Sequence, residues 1–223
     1  VSDLEASIRT VRDRIAGACA AAGRPGGQVR LIAASKGVSV ETLRSAVALG
    51  LTDIGENYMQ EARKKIEELG EGPTWHMIGH VQLNKAKYVS RLFSWVHSVD
   101  RWELLEALED RGSPMRALFE VNLSGEASKH GTDEEGLKRM LDRIRELECV
   151  VPSGLMTMPP PSPDPEDSRP FYARLRTLLD RVNGQFGLKM EELSMGMSSD
   201  FDVAIEEGAT MVRVGTALFG GRQ

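Results

Sequence analysis

Two parts of this chain, far apart in sequence, carry the residue types that chemistry needs. Near the C-terminus, Ser194-Met-Gly-Met-Ser-Ser-Asp-Phe201 and Met211-Val-Arg-Val-Gly-Thr-Ala-Leu-Phe-Gly220 each join a short apolar run to a Gly/Ser/Thr turn. The stretch between them reads as a helix whose first residues are Ser198, Ser199 and Asp200. A small polar turn at a helix N-terminus offers free backbone N–H groups and the positive end of the helix dipole, and both favour an anion. Two such turns in succession point to a phosphate cup. Near the N-terminus, Leu31-Ile-Ala-Ala-Ser-Lys36 is an apolar run that delivers one lysine where a strand should stop. An amine beside a phosphate cup suits a phosphorylated aldehyde, because a neutral lysine forms Schiff bases with carbonyl compounds.

These groups must be carried by alternating short strands and helices. Eight apolar runs, at 30–35, 51–56, 74–79, 94–99, 115–121, 151–157, 192–197 and 210–215, are rich in Val, Ile, Leu, Met and aromatics, as strands covered on both faces are. Helical spacing recurs between them. Leu137, Met140, Leu141, Ile144 and Leu147 follow Thr132 and Glu135, an expected capping pair. Trp102, Leu105 and Leu108 follow Asp100, and Phe171, Leu175, Leu178 and Val182 mark a third face. Ahead of the first strand, Leu4, Ile8, Val11, Ile15, Cys19 and Ala22 line one face of an N-terminal helix over 1–23, which Arg24-Pro-Gly-Gly27 stops. The pattern predicts an α/β fold, a single (β/α)8 TIM barrel over 30–220 within one domain spanning 1–223. A doubly wound sheet is the competing arrangement. Met158-Pro-Pro-Pro-Ser-Pro-Asp-Pro165 reads as a surface loop after the sixth strand.

A barrel gathers scattered residues into one pocket at the C-terminal strand ends, with phosphate commonly held after strands seven and eight. Lys36, Glu56, Asn57, His76, Gly79, His80, Ser98, Asn122, Met156, the turn 194–199, Arg213, Gly215 and Thr216 are expected there. Closure sets the lysine beside the phosphate cup, because strands one and eight become neighbours. Ser198, Gly215 and Thr216 are assigned to phosphate; plain turn chemistry is the alternative and is compatible with that role. Arg213 lies two residues before Gly215 and shares its inward face. Asn57 either lines the pocket or forms a turn. His76 and His80 are read as hydrogen-bonding within the barrel, Met195 and Met197 as pocket wall, and Lys129 as a solvated lysine. No His, Cys or carboxylate spacing predicts a metal.

The chain resembles the YggS/PROSC group of pyridoxal phosphate homeostasis proteins in matched blocks along nearly its whole length. These include Ala34-Ser-Lys36, Gly55-Glu-Asn-Tyr58 with Gln60-Glu61, Trp75-His76 with Ile78-Gly79-His80, and Gln82 with Asn84-Lys85. They continue through His97-Ser-Val-Asp100, Val121-Asn122, Gly154-Leu-Met156, Ser194-Met-Gly-Met-Ser198 with Asp200, and Val212-Arg213 with Gly215-Thr216 and Phe219-Gly220. The resemblance implies a fold-type III barrel similar to the N-terminal domain of alanine racemase. It implies that Lys36 holds pyridoxal 5′-phosphate (PLP) as a Schiff base, with Asn57, Met195, Ser198, Arg213, Gly215 and Thr216 around the cofactor. By the same resemblance Arg213 faces the pyridine nitrogen; binding of phosphate or of a core carboxylate is the alternative. Gly37, where many members have Thr, and Leu83, where a small polar residue is common, depart from the pattern at the pocket rim.

Three functions stay open at this stage. The resemblance implies a PLP-binding protein of vitamin B6 homeostasis that buffers the cofactor or delivers it to PLP-dependent apoenzymes, without catalytic turnover. A PLP-dependent amino-acid racemase is the second reading; it needs two opposed bases, and here only Tyr58 lies near a strand end, with no second domain after Gln223. A barrel using Lys36 as a Schiff-base lysine for a sugar phosphate is the third. Across 223 residues the net charge of −5 and pI near 5.5 argue against a nucleic-acid partner. No apolar stretch approaches a membrane span, and no basic-then-apolar signal opens the chain. Cys19 and Cys149 have neither metal nor disulfide spacing and read as buried small hydrophobes. A cytoplasmic monomer is the expectation.

Overall fold

The structure, a computed structural model, describes residues 2–109, 114–126 and 129–221. Eight strands form a closed barrel in sequence order: β1 (Arg30–Ala34), β2 (Asp53–Glu56), β3 (Thr74–Met77), β4 (Trp95–Val99), β5 (Met115–Glu120), β6 (Val150–Met156), β7 (Glu192–Ser194) and β8 (Met211–Val214). All neighbours are parallel, including β1 with β8, where Ile32 faces Arg213 and Ala33 faces Val214. That pairing excludes a doubly wound sheet, whose outer strands stay open. Helices α1 (Ser2–Ala21), α2 (Val40–Ala48), α3 (Met59–Leu69), α4 (Ala86–Leu92), α5 (Trp102–Glu109), α6 (Glu134–Asp142), α7 (Arg169–Phe186), α8 (Phe201–Glu206) and α9 (Thr216–Phe219) accompany it. None of the described helices is long and apolar enough to cross a membrane.

Strand alternation divides the apolar residues into two cores. Ile32, Ile78, Trp95, Leu118, Met156 and Met211 fill the inside of the barrel. Ala33, Ile54, Met77, Val96, Phe119, Leu155, Leu193 and Val212 point outward into the larger core shared with the helices. Inside, Gly55 leaves room for its neighbours: a Cβ there would meet Ile32 Cγ2 and Ile78 Cδ1, both at 2.9 Å. The extra helix α1 packs on α8 and α9. Beyond its end, Arg24 donates to the Ile205 and Ala209 carbonyls at 2.8 and 2.9 Å, tying the helix to the segment that precedes β8.

Several local expectations need correction. Asp133, not Thr132, caps α6, accepting from Gly136 N at 2.7 Å. The Asp100 carboxylate is turned to Arg101 and His80, and α5 starts at Trp102. Ser198 to Asp200 form a turn, and α8 begins only at Phe201. Cys19 is buried, whereas Cys149 is half-buried at the entry to β6.

The close packing of β6 on β7 leads to a first prediction. A Cβ on Gly154 would lie 1.9 Å from the Glu192 carbonyl oxygen, which is backbone and has no side-chain torsion to move it away. Gly154→Ala should cost about 3 kcal/mol, the upper end of ordinary overpacking. Gly184→Ala, on the exposed face of α7 with nothing within 4 Å, should instead stabilise by about 0.5 to 1 kcal/mol. Urea midpoints of the two variants, compared with the parent, check both values.

Candidate functional site

The turn after β1 presents Lys36, and a buried ionic cluster beneath it sets that turn. Lys65 of α3 donates to Glu56 Oε1 at 2.6 Å, to Glu61 Oε1 at 2.7 Å and to the Ser35 carbonyl at 2.6 Å. Ser35 Oγ also donates to Glu56 Oε1, and Gly37 N donates to Glu61 Oε1 at 2.6 Å. Both neighbours of Lys36 are therefore anchored. Gly37 takes φ of 75°, a left-handed conformation that glycine adopts without strain. Burial pushes the Glu56 carboxyl up, with Lys65 and Ser35 pulling against it. Glu56 is thus not a pocket residue: Gly55 faces inward, so its successor faces the helices. Lys36 is half-buried, and its Nζ lies 3.1 Å from the Tyr58 hydroxyl.

Lys36 opens into a cavity of about 700 Å³ shared with Asn57, Met197, Ser198, Arg213, Gly215 and Thr216. Ser198 Oγ accepts from Gly215 N at 3.3 Å and Ala217 N at 3.2 Å, so two backbone donors at the head of α9 converge on one oxygen. Asp200 holds the Ser198 turn. Its carboxylate accepts from Met197 N at 2.8 Å, Ser168 Oγ at 2.9 Å and the Tyr172 hydroxyl at 2.7 Å. Gly196 is required twice over, by φ of 89° and because a Cβ would lie 2.6 Å from Ala204 Cβ of α8. Met195 does not belong to the cavity. It is fully buried in the outer core, since alternation turns it away once Ser194 faces in; the exposed Met197 lines the wall instead.

Arg213 ends a polar chain running through the middle of the barrel. Its Nη1 donates to Ser194 Oγ at 2.6 Å and its Nη2 to the Thr157 carbonyl at 3.1 Å. Ser194 Oγ lies 2.8 Å from His97 Nδ1, His97 Nε2 lies 3.0 Å from His76 Nδ1, and His76 Nε2 lies 3.0 Å from Asp53 Oδ1. Guanidinium only donates and carboxylate only accepts, so every proton in the chain points from Arg213 toward Asp53. Both imidazoles are then neutral with the proton on Nε2. Burial agrees: it lowers His76 and drives His97 far down. Burial also works against the Asp53 carboxylate, yet His76, Thr52 and Arg30 hold it below the ordinary range. Burial lowers Arg213 in turn, opposed by Tyr172, Glu120 and Asp200.

The remaining residues expected at the mouth fall into three places. His76 and Met156 lie inside the barrel, below the mouth. Ser98 is a buried support that donates to the Gly79 carbonyl at 2.6 Å, and Asn122 folds its own loop by bonding Ser124, Gly125 and Glu126. Asn57, Gly79 and His80 border a second cavity of about 550 Å³, which meets the first at Asn57. Lys129 reaches Glu126 at 3.5 Å; residues 127 and 128 of that loop lie outside the described residues. Sequence reasoning missed Asp53, His97, Tyr172 and Glu120, and placed Ser194 at the mouth within the turn 194–199 without its bond to Arg213. Alternation along β5 and β7, once Arg213 was placed inward, was the signal available for Glu120 and Ser194.

The neutral histidines make stability depend on pH with a definite sign. An unfolded histidine protonates near pH 6.5 and the folded His97 does not, so its contribution is present above about pH 6.5 and is lost on acidification. The loss approaches about 1.4 kcal/mol per pH unit. Glu120 acts oppositely. Burial and Asp100 push its carboxyl up to about 7, so its contribution is present in acid and lost as pH rises through that value. His97→Gln separates the two: between about pH 7.5 and 5.5, urea denaturation should show the parent losing stability relative to this variant. Parallel pH dependence would mean that His97 is protonated in the fold.

With this geometry in view, comparison with known proteins gives a consistent result. The family described as alanine racemase, N-terminal domain, matches residues 9–223. A pyridoxal phosphate homeostasis protein of Aquifex aeolicus is 43% identical over 221 residues, 97% of each chain. One of Pseudomonas aeruginosa is 42% identical, covering 100% of this chain and 97% of its own. Among solved structures, PipY of Synechococcus elongatus with PLP bound has a TM-score of 0.83 at 36% identity, over 94% of this chain and 100% of PipY. Alanine racemase of Corynebacterium glutamicum, 15% identical with a TM-score of 0.77 over 99% of this chain and 61% of its own, shares the fold. The chain therefore belongs to the pyridoxal phosphate homeostasis proteins, a family with the barrel of the alanine racemase N-terminal domain.

Proposed function

We propose that this protein binds PLP in the Lys36 cavity and serves the homeostasis of that cofactor, holding it on Lys36 as a Schiff base and passing it to PLP-dependent apoenzymes. The reading takes it as a single-domain cytoplasmic monomer. One observation carries it: β1–β8 closure brings the Lys36 amine to the same cavity as Gly215 and Thr216. The PLP bound in PipY, a relative at 36% identity, supports it.

The residues fit the cofactor. The Gly215 and Ala217 N–H groups converge on one oxygen already, and the Ser198 and Thr216 hydroxyls add donors suited to a phosphate. Arg213 is the residue for the pyridine nitrogen, because its guanidinium is a permanent donor, lines the cavity and is held in place through its Nη atoms by Ser194 and Thr157. Asn57, which lines this cavity at the end of β2, would contact the bound cofactor. When bound, PLP supplies a reactive aldehyde and an electron-withdrawing ring. Intact mass after borohydride reduction, followed by peptide mapping, tests the assignment. Lys36 should carry the only pyridoxyl group, and Lys36→Ala should lose it while keeping the fold. A label on Lys85 or Lys129 would refute the reading.

The chain's own groups are poorly arranged for racemisation. Inversion at carbon needs two bases standing on opposite sides. Here Tyr58 is exposed and its hydroxyl hydrogen-bonds Lys36 itself, so the two candidates stand together. Arg213 cannot lend a proton to the ring nitrogen as a carboxylic acid would, since it stays charged. Amino acids should therefore displace the lysine slowly with no Cα–H exchange above background. Deuterium incorporation at Cα in heavy water, across a panel of amino acids, measures this. Rapid incorporation that disappears in Lys36→Ala would establish an enzyme.

A further inference from the structure

The cavity beside Asn57, on the β3–β5 side of the mouth, contains a second set of chemically competent groups. His80 follows β3, Asp100 follows β4 and His130 lies in the loop after β5. Their ligand atoms all lie within 4.8 Å of one another. The two imidazoles stack with centroids 4.2 Å apart and planes 16° from parallel. His80 Nδ1 is 3.4 Å from Asp100 Oδ2, and neither histidine makes a hydrogen bond to a described residue. Arg101 holds the other oxygen of Asp100 and is itself fixed by donating to the Val81 carbonyl at 2.7 Å. Oδ2 is thereby aimed at the histidines by an outer partner, the usual way a ligand is oriented.

An independent observation also calls for a cation. Glu120 lines the same cavity, is only 3% exposed, and its carboxyl makes no hydrogen bond to a described residue. Ionising such a buried carboxyl without a partner is costly, and a bound divalent ion would offset that cost.

We propose that His80, Asp100 and His130 bind a divalent transition metal of the zinc class at the barrel mouth, with Glu120 facing it from the cavity floor. Two imidazole nitrogens and a carboxylate oxygen suit zinc or cobalt, whereas calcium and magnesium take oxygen ligands. Tetrahedral ligands about 2.1 Å from a metal stand about 3.4 Å apart, and lone pairs in the planes of two stacked rings do not converge, so His130 must swing out of the stack as well as approach by up to about 1.4 Å. His130 is exposed and on a loop, and can make that movement. Lys85, which also lines this cavity, and Arg101 on Asp100 are the opposing charges. The site shares no ligand with the Lys36 cavity, so it stands or falls apart from the proposed cofactor role.

Chelator-treated full-length protein, titrated with Zn2+ against a chromophoric competitor, tests the site. Co2+ in place of Zn2+ reports the ligand field by its visible absorption. One ion per chain is expected, with affinity reduced about tenfold or more in His80→Ala, Asp100→Asn and the surface variant His130→Ala. Glu120→Gln should weaken it less, and Lys36→Ala should leave it unchanged. Failure to bind Zn2+, or binding indifferent to both His80→Ala and His130→Ala, would overturn the proposal.

Discussion

The parallel pairing of β1 with β8 is the constraint on which the rest of this structure depends. It converts a row of strands into a closed cylinder with an inside, and it makes neighbours of two segments about 180 residues apart in sequence. Lys36 and the Gly215-Thr216 turn then share one cavity without any long-range side-chain bond between them. The N-terminal helix reinforces this seam from outside, packing on α8 and α9, the two short helices that flank the Ser198 and Gly215 turns. Two helices of six and four residues would be marginal by themselves and depend on such tertiary support.

Polar groups buried at the seam and along the axis give orientation more than stability. Glu56 and Lys65 are almost wholly buried and Glu61 is half-buried, and desolvation offsets much of the Coulombic attraction within this cluster. What it adds is direction, since it grips Ser35 and Gly37 and leaves Lys36 between them facing the cavity. The Asp53–His76–His97–Ser194–Arg213 chain does the same inside the barrel. An acceptor-only group at one end and a donor-only group at the other leave a single arrangement of protons, and the guanidinium is held through its Nη atoms. A polar axis within an otherwise apolar barrel interior is affordable only because each member finds a partner.

The mouth is divided by chemistry. On the β7–β8–β1 side, backbone N–H groups, an arginine and a lysine line the cavity proposed for the cofactor. On the β3–β5 side, two histidines and two carboxyl groups gather at the site proposed for a cation. Asn57, at the end of β2, touches both. Its position is set by close approach: a Cβ on Gly79 would lie 2.4 Å from the Asn57 carbonyl oxygen, so glycine there lets the ends of β2 and β3 come together.

Local physics was legible in the chain by itself. The eight apolar runs each became a strand within a few residues of the expected bounds, because segments covered on both faces must be apolar throughout. The lysine at a strand end and the small-residue turns were visible because turn geometry depends on the residues that make it. Facing was harder. Met195 and Glu56 were assigned to the pocket by proximity in sequence, yet strand alternation turns each outward, and one residue decides the side. The axial chain and the His80–Asp100–His130 cluster were invisible, since their members come from different strands or loops and carry no common spacing. Only closure of the barrel, which sets strand ends side by side whatever their separation along the chain, decided which of those side chains meet.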